Sequence, residues 1–237
     1  MDKKKLYLPF DEIYCINLVE REDRYNKMIK IFNHLGITEN VKFHRTVKHP
    51  FCDKISTFIR NTNLGILWGN AFSCTREHYT IIKSAYLRGI NTIMIIEDDC
   101  SFYKDIHELQ KYFDNLPNDW DILRVNCLRG KTEEEHFNMP ENKNKYWDRE
   151  FISTFGTGCY CLNRNGMKYM INYIDNKYDA IDTPLYYYSI SKLNTYISNR
   201  PLGLSFPEYS DIQDKLSIHH YYYRDIKNID LSMYQYD

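Results

Sequence analysis

The sequence has no apolar run long enough to cross a bilayer: its longest aliphatic stretch is Ile93-Met94-Ile95-Ile96, far short of the ~20 residues a spanning helix needs. An excess of one charge is missing too. The 31 Lys and Arg stand against 32 Asp and Glu, for a net charge of -1, which excludes the basic surplus or stripe of a dedicated nucleic-acid binder. No Cys-x-x-Cys pair occurs among the cysteines at 15, 52, 74, 100, 127, 159 and 161, and no paired Cys/His spacing points to structural zinc. These thiols read as reduced, mostly buried small residues. Asn-x-Ser/Thr acceptors are absent, and the basic start Met1–Lys5 is followed only by Leu6–Phe10 before Asp11 and Glu12. That apolar stretch is shorter than a secretory signal requires. The expectation is a cytoplasmic protein.

What is present fits a globular chain. Of its 237 residues, 43% are hydrophobic and 27% charged, enough for one packed domain over 1–237. No internal repeat or dividing linker is visible, and no feature fixes an oligomeric state. The 22 Tyr are unusual beside 12 Phe and 3 Trp. Two readings stay open: AT-rich codon bias, or aromatic rings that stack on the apolar faces of sugars.

Along the chain, short apolar runs alternate with helical spacing. Ile13–Leu18 reads as a buried strand. Met28, Ile31, Phe32 and Leu35 then fall at helical spacing, with Gly36 as C-cap, and Val41–Val47 reads as a second strand. Residues 48–68 show no sustained period. A helix is expected over Cys74–Arg88 with Ile81, Ile82 and Ala85 inward and Gly89 closing it. Thr92–Ile96, unbroken and β-branched, has the pattern of a central parallel strand. Ile106, Leu109, Tyr112 and Phe113 predict a helix, Trp120–Val125 and Gly158–Leu162 predict strands, and Met167, Met170, Ile171 and Ile174 line a helix after Asn165-Gly166. Residues 129–149 are charged and nearly free of aliphatics, as a mobile lid would be. The Tyr-rich C-terminal third has no clear period. Strands alternating with helices mean α/β with a mostly parallel sheet.

The most informative feature is Glu97-Asp98-Asp99 at the end of the central strand. Three adjacent carboxylates repel one another and resist desolvation unless a cation balances them. Ligands of open α/β sheets bind at the carboxyl ends of strands. In extended chain Glu97 and Asp99 project to one side and Asp98 to the other. Such hard oxygen ligands suit Mg or Mn, with a ligand's phosphates completing the shell. A solvated acidic turn is the plainer reading, and the triplet alone also fits metal-dependent nucleases and phosphatases.

The context is more specific. Near the start stands Ile16-Asn17-Leu18-Val19-Glu20-Arg21-Glu22-Asp23-Arg24. Later come Ser73-Cys74-Thr75-Arg76-Glu77-His78, the helix, Gly89, the strand and the triplet, then Gly156-Thr157-Gly158-Cys159-Tyr160-Cys161 and Phe206-Pro207 with Gln213 and Ser217. In this order the chain, from about 13 to 218, resembles glycosyltransferase family 25, which includes lipooligosaccharide-type and collagen galactosyltransferases. The family has Ser-His where this chain has Glu77-His78, and often Gly-Cys where it has Ser73-Cys74. Glu77 either alters contacts to the donor or faces solvent.

The resemblance implies a single-domain GT-A-like fold, a UDP-sugar donor (most often UDP-galactose), Mn or Mg, and a saccharide or glycoconjugate acceptor, with location at a membrane surface if that acceptor is lipid-linked. Asp99 is the first choice for metal, with Glu97 beside it and His219 or His220 as a later ligand. Asn17, Leu18, Arg21, Asp23, Arg24, His78, Glu97 and Asp98 are the candidates for the donor nucleotide and sugar. Asp182 and its rival Asp121 are candidates for the base that accepts the acceptor hydroxyl's proton. Trp147 and Tyr160 are candidates for stacking on the acceptor. Each has a plainer role: helix-start polarity for Arg21, Asp23 and Arg24, a hydrogen-bonded core for His78, a helix N-cap for Asp182, a strand start for Asp121 and a surface tail for His219 and His220. A non-catalytic carbohydrate- or nucleotide-binding module that retains the fold is the alternative to an enzyme.

Overall fold

The computed structural model describes residues 5–48, 69–128, 145–149, 155–177, 181, 193–199, 202–205, 209–210, 215–216 and 230–236. The N-terminal apolar run forms β1 (Glu12–Leu18), followed by helix α1 (Glu22–Leu35) and β2 (Val41–Thr46). Helix α1 turns Met28, Ile31, Phe32 and Leu35 inward. It stops at Gly36, whose φ of 70° is the left-handed cap that glycine adopts without Cβ strain. Helix α2 spans Gly69–Leu87, longer at its start than the periodicity predicts, and β3 spans Thr92–Glu97. The short strand β4 (Cys100–Phe102) leads to helix α3 (Ile106–Asp114), capped by Asp105, whose carboxylate accepts from the amides of His107 and Glu108. There follow β5 (Ile122–Leu128), β6 (Trp147–Arg149), β7 (Phe155–Asn163), helix α4 (Arg164–Lys177), β8 (Thr195–Ser198) and β9 (Gly203–Ser205).

Among the described residues, seven strands form one sheet in the order β2-β1-β3-β7-β5-β8-β6. β1 is parallel to β2 and β3, and β5 is parallel to β8, whereas β7 runs against both β3 and β5, and β6 runs against β8. Five of the seven strands therefore point one way, and the mostly parallel α/β architecture is the observed one. β3 differs in detail from its expected form, because its β7 side is antiparallel. Its continuous apolar run reports burial on both faces, not the direction of both neighbours.

Side-chain alternation on β3 divides the core. Ile93 and Ile95 pack with Ile81, Ile82, Met167 and Met170 of α2 and α4. Met94 and Ile96 pack on the opposite face with Met28, Phe32 and Leu109 of α1 and α3. β6 occupies the last residues of the stretch expected as a lid, at the sheet edge; residues 129–144 lie outside the described set. No described helix is long and apolar enough to cross a membrane.

Candidate active site

The register of β1 on β3 sets Ile16 beside Glu97. Asn17 and Leu18, still paired with β2, thus lie next to the acidic triplet. β3 ends at Glu97, and Asp98-Asp99 form a turn into β4. Extended alternation therefore holds for Glu97 and Asp98 but does not reach Asp99. A cleft of about 110 Å³, open to solvent, is lined here by Asn17, Leu18, Arg24, Lys48 and all three acidic residues, with Cys74, Glu77 and His78 of α2 on its wall.

The two faces of the strand end treat their carboxylates differently. Asp98 accepts from Asn17 Nδ2 at 2.7 Å and from Arg24 Nη1 at 2.9 Å. The same Asn17 amide donates to the Arg21 carbonyl at 3.1 Å, tying β1, α1 and the triplet together. Asn17 Oδ1 is buried with no hydrogen-bond partner among the described residues. Burial pushes the Asp98 carboxyl above the ordinary aspartate range; Arg24 and Asn17 pull it down without cancelling this, and the charge on Glu97 adds to the rise.

Glu97 accepts from the Thr157 hydroxyl, which the Gly156-Thr157-Gly158 segment of β7 delivers, and lies 3.2 Å from His78 Nε2. Burial disfavours the ionised form of Glu97, but His78 and Thr157 outweigh it and hold the carboxyl below its usual range. His78 is wholly buried; its Nδ1 is 2.8 Å from the Tyr160 hydroxyl and its ring stacks on Tyr160 at 5.7 Å between centroids. Burial pushes the Tyr160 hydroxyl well above its ordinary value, so it keeps its proton.

Glu77 does not face solvent. It is buried in the cleft wall, where it accepts from His44 Nε2 at 2.7 Å and Arg76 Nε at 2.8 Å. Burial opposes its charge, yet these donors bring its pKa down to about 2.

Several expected site residues lie elsewhere. Arg21 and Asp23 clasp each other through two hydrogen bonds at 3.0 and 2.8 Å and do not line the cleft. Asp121 is a correction. It immediately precedes β5 at the opposite end of the sheet, since the registers align Ile122 with Leu162 and Leu162 with Ile93 at the start of β3. Its carboxylate accepts from Asn163 and Asn165 side chains and the Asn194 amide, a structural clamp. Trp147 and Tyr160 are corrected as well, because both rings are fully buried and neither can stack on an acceptor. The Trp147 indole donates to the Tyr112 carbonyl at 2.9 Å. Asp182, His219 and His220 lie outside the described residues. Sequence reasoning did not name Lys48 or Cys74 as cleft residues or Thr157 as the partner of Glu97; the Ser73-Cys74 motif and the Gly-Thr-Gly segment were the signals for Cys74 and Thr157, and Lys48 had none.

Asp99 and Glu97 in the cleft lining carry carboxylate oxygens, and Asn17 Oδ1 is a buried oxygen with no hydrogen-bond partner among the described residues; oxygen donors of this kind suit a hard divalent cation.

The fold and the cleft define an α/β protein whose candidate site is an acidic strand end. The model of glycosyltransferase family 25 (LPS biosynthesis protein) matches residues 10–185. This chain belongs to that family. Human procollagen galactosyltransferase 2 is 24% identical to it over 165 residues, 60% of this chain and 26% of that protein. Procollagen galactosyltransferase 1 of Danio rerio is 21% identical over 189 residues, 72% of this chain and 31% of that protein. The chain thus spans between about a quarter and a third of the length of these relatives. Among solved structures, the glycosyltransferase GlyE of Streptococcus pneumoniae covers 97% of this chain and 62% of its own at 8% identity and a TM-score of 0.44. Mouse xyloside xylosyltransferase 1 covers 78% and 71%, at 11% identity and a TM-score of 0.35. Both are loose likenesses.

Proposed function

We propose that the chain is a glycosyltransferase that moves a hexose, galactose by its family, from a UDP-sugar to a saccharide or glycoconjugate acceptor, with inversion. The observation that carries this reading is the division of labour in the triplet. Asp98 is occupied by Asn17 and Arg24, Glu97 is set by His78 and Thr157, and Asp99 sits in the turn at the cleft.

Asp99, with Glu97, would hold Mn or Mg, which would supply neutralisation of the leaving diphosphate. Arg24 fixes Asp98 so that the turn holds its shape, and Asn17 fastens that turn to the start of α1. Lys48 adds positive charge at the mouth for phosphate oxygens. Asn17, Leu18 and Arg24 form the nucleotide side of the cleft. Asp182 is the proposed base, now that Asp121 lies at the far end of the sheet. His219 and His220, adjacent and so facing opposite ways in extended chain, are proposed to provide one further metal ligand between them. One His→Ala change should weaken Mn-dependent UDP binding about tenfold or more, while the other changes it little.

Isothermal titration of UDP with and without Mn is the direct test. Binding that tightens with Mn supports the reading; binding indifferent to the metal sinks it. The placement of Asp121 favours one second reading, a module that binds the donor without turning it over. UDP release from UDP-galactose in the presence of an acceptor array removes that alternative.

A further inference from the structure

Beside the oxygen donors the cleft wall carries a second, chemically different set. The Cys74 thiol, the His78 imidazole and the Glu97 carboxylate bring one ligand atom each within 4.8 Å of one another, and all three residues line the cleft. Cys74 and His78 stand one helical turn apart on α2, so they present to the same side. Glu97 faces them from the end of β3.

His78 supplies the observation that points to a ligand. Its Nε2 is wholly buried and has no aligned hydrogen bond among the described residues, although Glu97 Oε1 is 3.2 Å away. The pair is close without the alignment of a shared proton. On the other side of the ring, Nδ1 meets the Tyr160 hydroxyl at 2.8 Å. A proton on Nε2 holds the Glu97 carboxyl down; when Nδ1 carries the proton instead and donates to the Tyr160 oxygen, the Nε2 lone pair faces a carboxylate oxygen at 3.2 Å, and a divalent cation can take the place of that proton between them. A ring nitrogen oriented by a hydrogen bond on its far side is the usual arrangement of metal-bound histidine.

We infer that Cys74, His78 and Glu97 form a binding site for a borderline divalent cation of the zinc class, distinct from the hard-oxygen site proposed at Asp99. Thiolate and imidazole select zinc or cobalt over magnesium, and one nitrogen, one sulfur and one carboxylate oxygen leave a fourth tetrahedral position open towards the cleft. Binding releases the thiol proton. An occupied site takes Glu97 away from the oxygen site, so zinc and manganese compete through one shared carboxylate. The inference stands on these three side chains and does not depend on the glycosyl-transfer reading.

Cobalt titration of the reduced protein tests it, because cobalt bound to thiolate gives a charge-transfer absorption that oxygen and nitrogen ligands do not. One equivalent should produce that band, added zinc should abolish it, and Cys74→Ser should remove it while weakening zinc at least about tenfold. A band absent from the parent, or one that persists in Cys74→Ser, overturns the site. Glu97→Gln, with folding verified by circular dichroism, should keep the band but lower the affinity; unchanged affinity also overturns it. UDP titration with Mn on the same samples reports separately on the proposed function.

Discussion

β1 buries a carboxylate beside each of its ends, and the two are treated in opposite ways. At its start Glu12, 8% exposed, receives two hydrogen bonds from Arg88, one from Lys42 and one from the Tyr14 hydroxyl. Arg88 above all holds its carboxyl far below the usual range, against the opposing effect of burial. At its finish Asp98, 7% exposed, has Arg24 and Asn17, yet burial still pushes it up, with Glu97 as a neighbouring like charge. At one end two cations answer the carboxylate and fasten β1 to β2 and to Arg88, the residue that follows α2. At the other, burial outweighs both donors, and Glu97 and Asp99 stand beside Asp98 in the chain. A structural carboxylate and a site carboxylate are thus distinguished by balance, not by burial.

The contrast is broken most severely at Asp99. Asp99→Asn keeps the shape of the turn but removes the charge offered to the cleft. Mn-dependent UDP binding and transfer should fall at least ~100-fold, beyond the ~10- to 100-fold cost of losing a metal site's outer partners, while the circular dichroism spectrum is retained. Near-parental turnover would move the cation elsewhere.

Next in size is Arg24→Ala. Arg24 and Asp98 are buried partners, their side chains 8% and 10% exposed, so the change strands a carboxylate in the interior and should cost about 3–5 kcal/mol in urea unfolding. Arg88→Ala at the other end should cost clearly less. Arg88 is 45% exposed, and Lys42 remains beside Glu12. Equal losses from the two variants would erase the distinction between the ends.

Much of this architecture was legible in advance, because β1, α1, β3 and α3 each carry one clean period bounded by a charge, a cap or a glycine. The triplet's place at a cleft was legible for the same reason: three carboxylates terminating a buried strand have few purely structural explanations. The antiparallel insertion of β7 was not, since an apolar run states that both faces are covered and says nothing of neighbour direction. Aromatic residues misled. Trp147 and Tyr160 are large enough to anchor the core, and composition cannot separate a ring that packs from a ring that binds sugar. Asp121 misled because a carboxylate beside a strand reads alike at either end, and only the register through Leu162 to Ile93 reveals which end it occupies. The cleft role of Glu77 rests on partners from β2 and its own helix that no local pattern displays.

A pH series sharpens the comparison with a smaller effect. Glu12 has a folded pKa below the ordinary glutamate value of 4.5, so its contribution to stability is fully present above that value and is lost as the pH falls through the folded pKa. The difference in urea midpoint between the parent and Glu12→Gln should therefore be constant from pH 7 to 6 and shrink below 4.5. For Asp98, whose folded pKa is raised, the sign reverses: holding it ionised costs stability above its folded pKa, and protonation relieves that cost as the pH falls. A Glu12→Gln difference that grows on acidification would contradict the assignment.

The smallest effect belongs to the pair that sequence reasoning placed in the nucleotide site. Arg21 holds the Asp23 carboxyl down at about 2, but Asp23 is 66% exposed. Exposed ion pairs are screened by water and must fix two side chains, which leaves about 0–1 kcal/mol. Some further stabilisation comes from a negative charge in the first turn of α1, which Glu22 continues to supply. Asp23→Asn should therefore shift unfolding by no more than about 1 kcal/mol and leave Mn-dependent UDP affinity within about twofold, because neither partner lines the cleft. A loss of affinity as large as that of Asp99→Asn would show that Arg21 and Asp23 exchange their mutual hydrogen bonds for contacts to the nucleotide. The boundary of the site would then extend from the end of β1 into the first turn of α1.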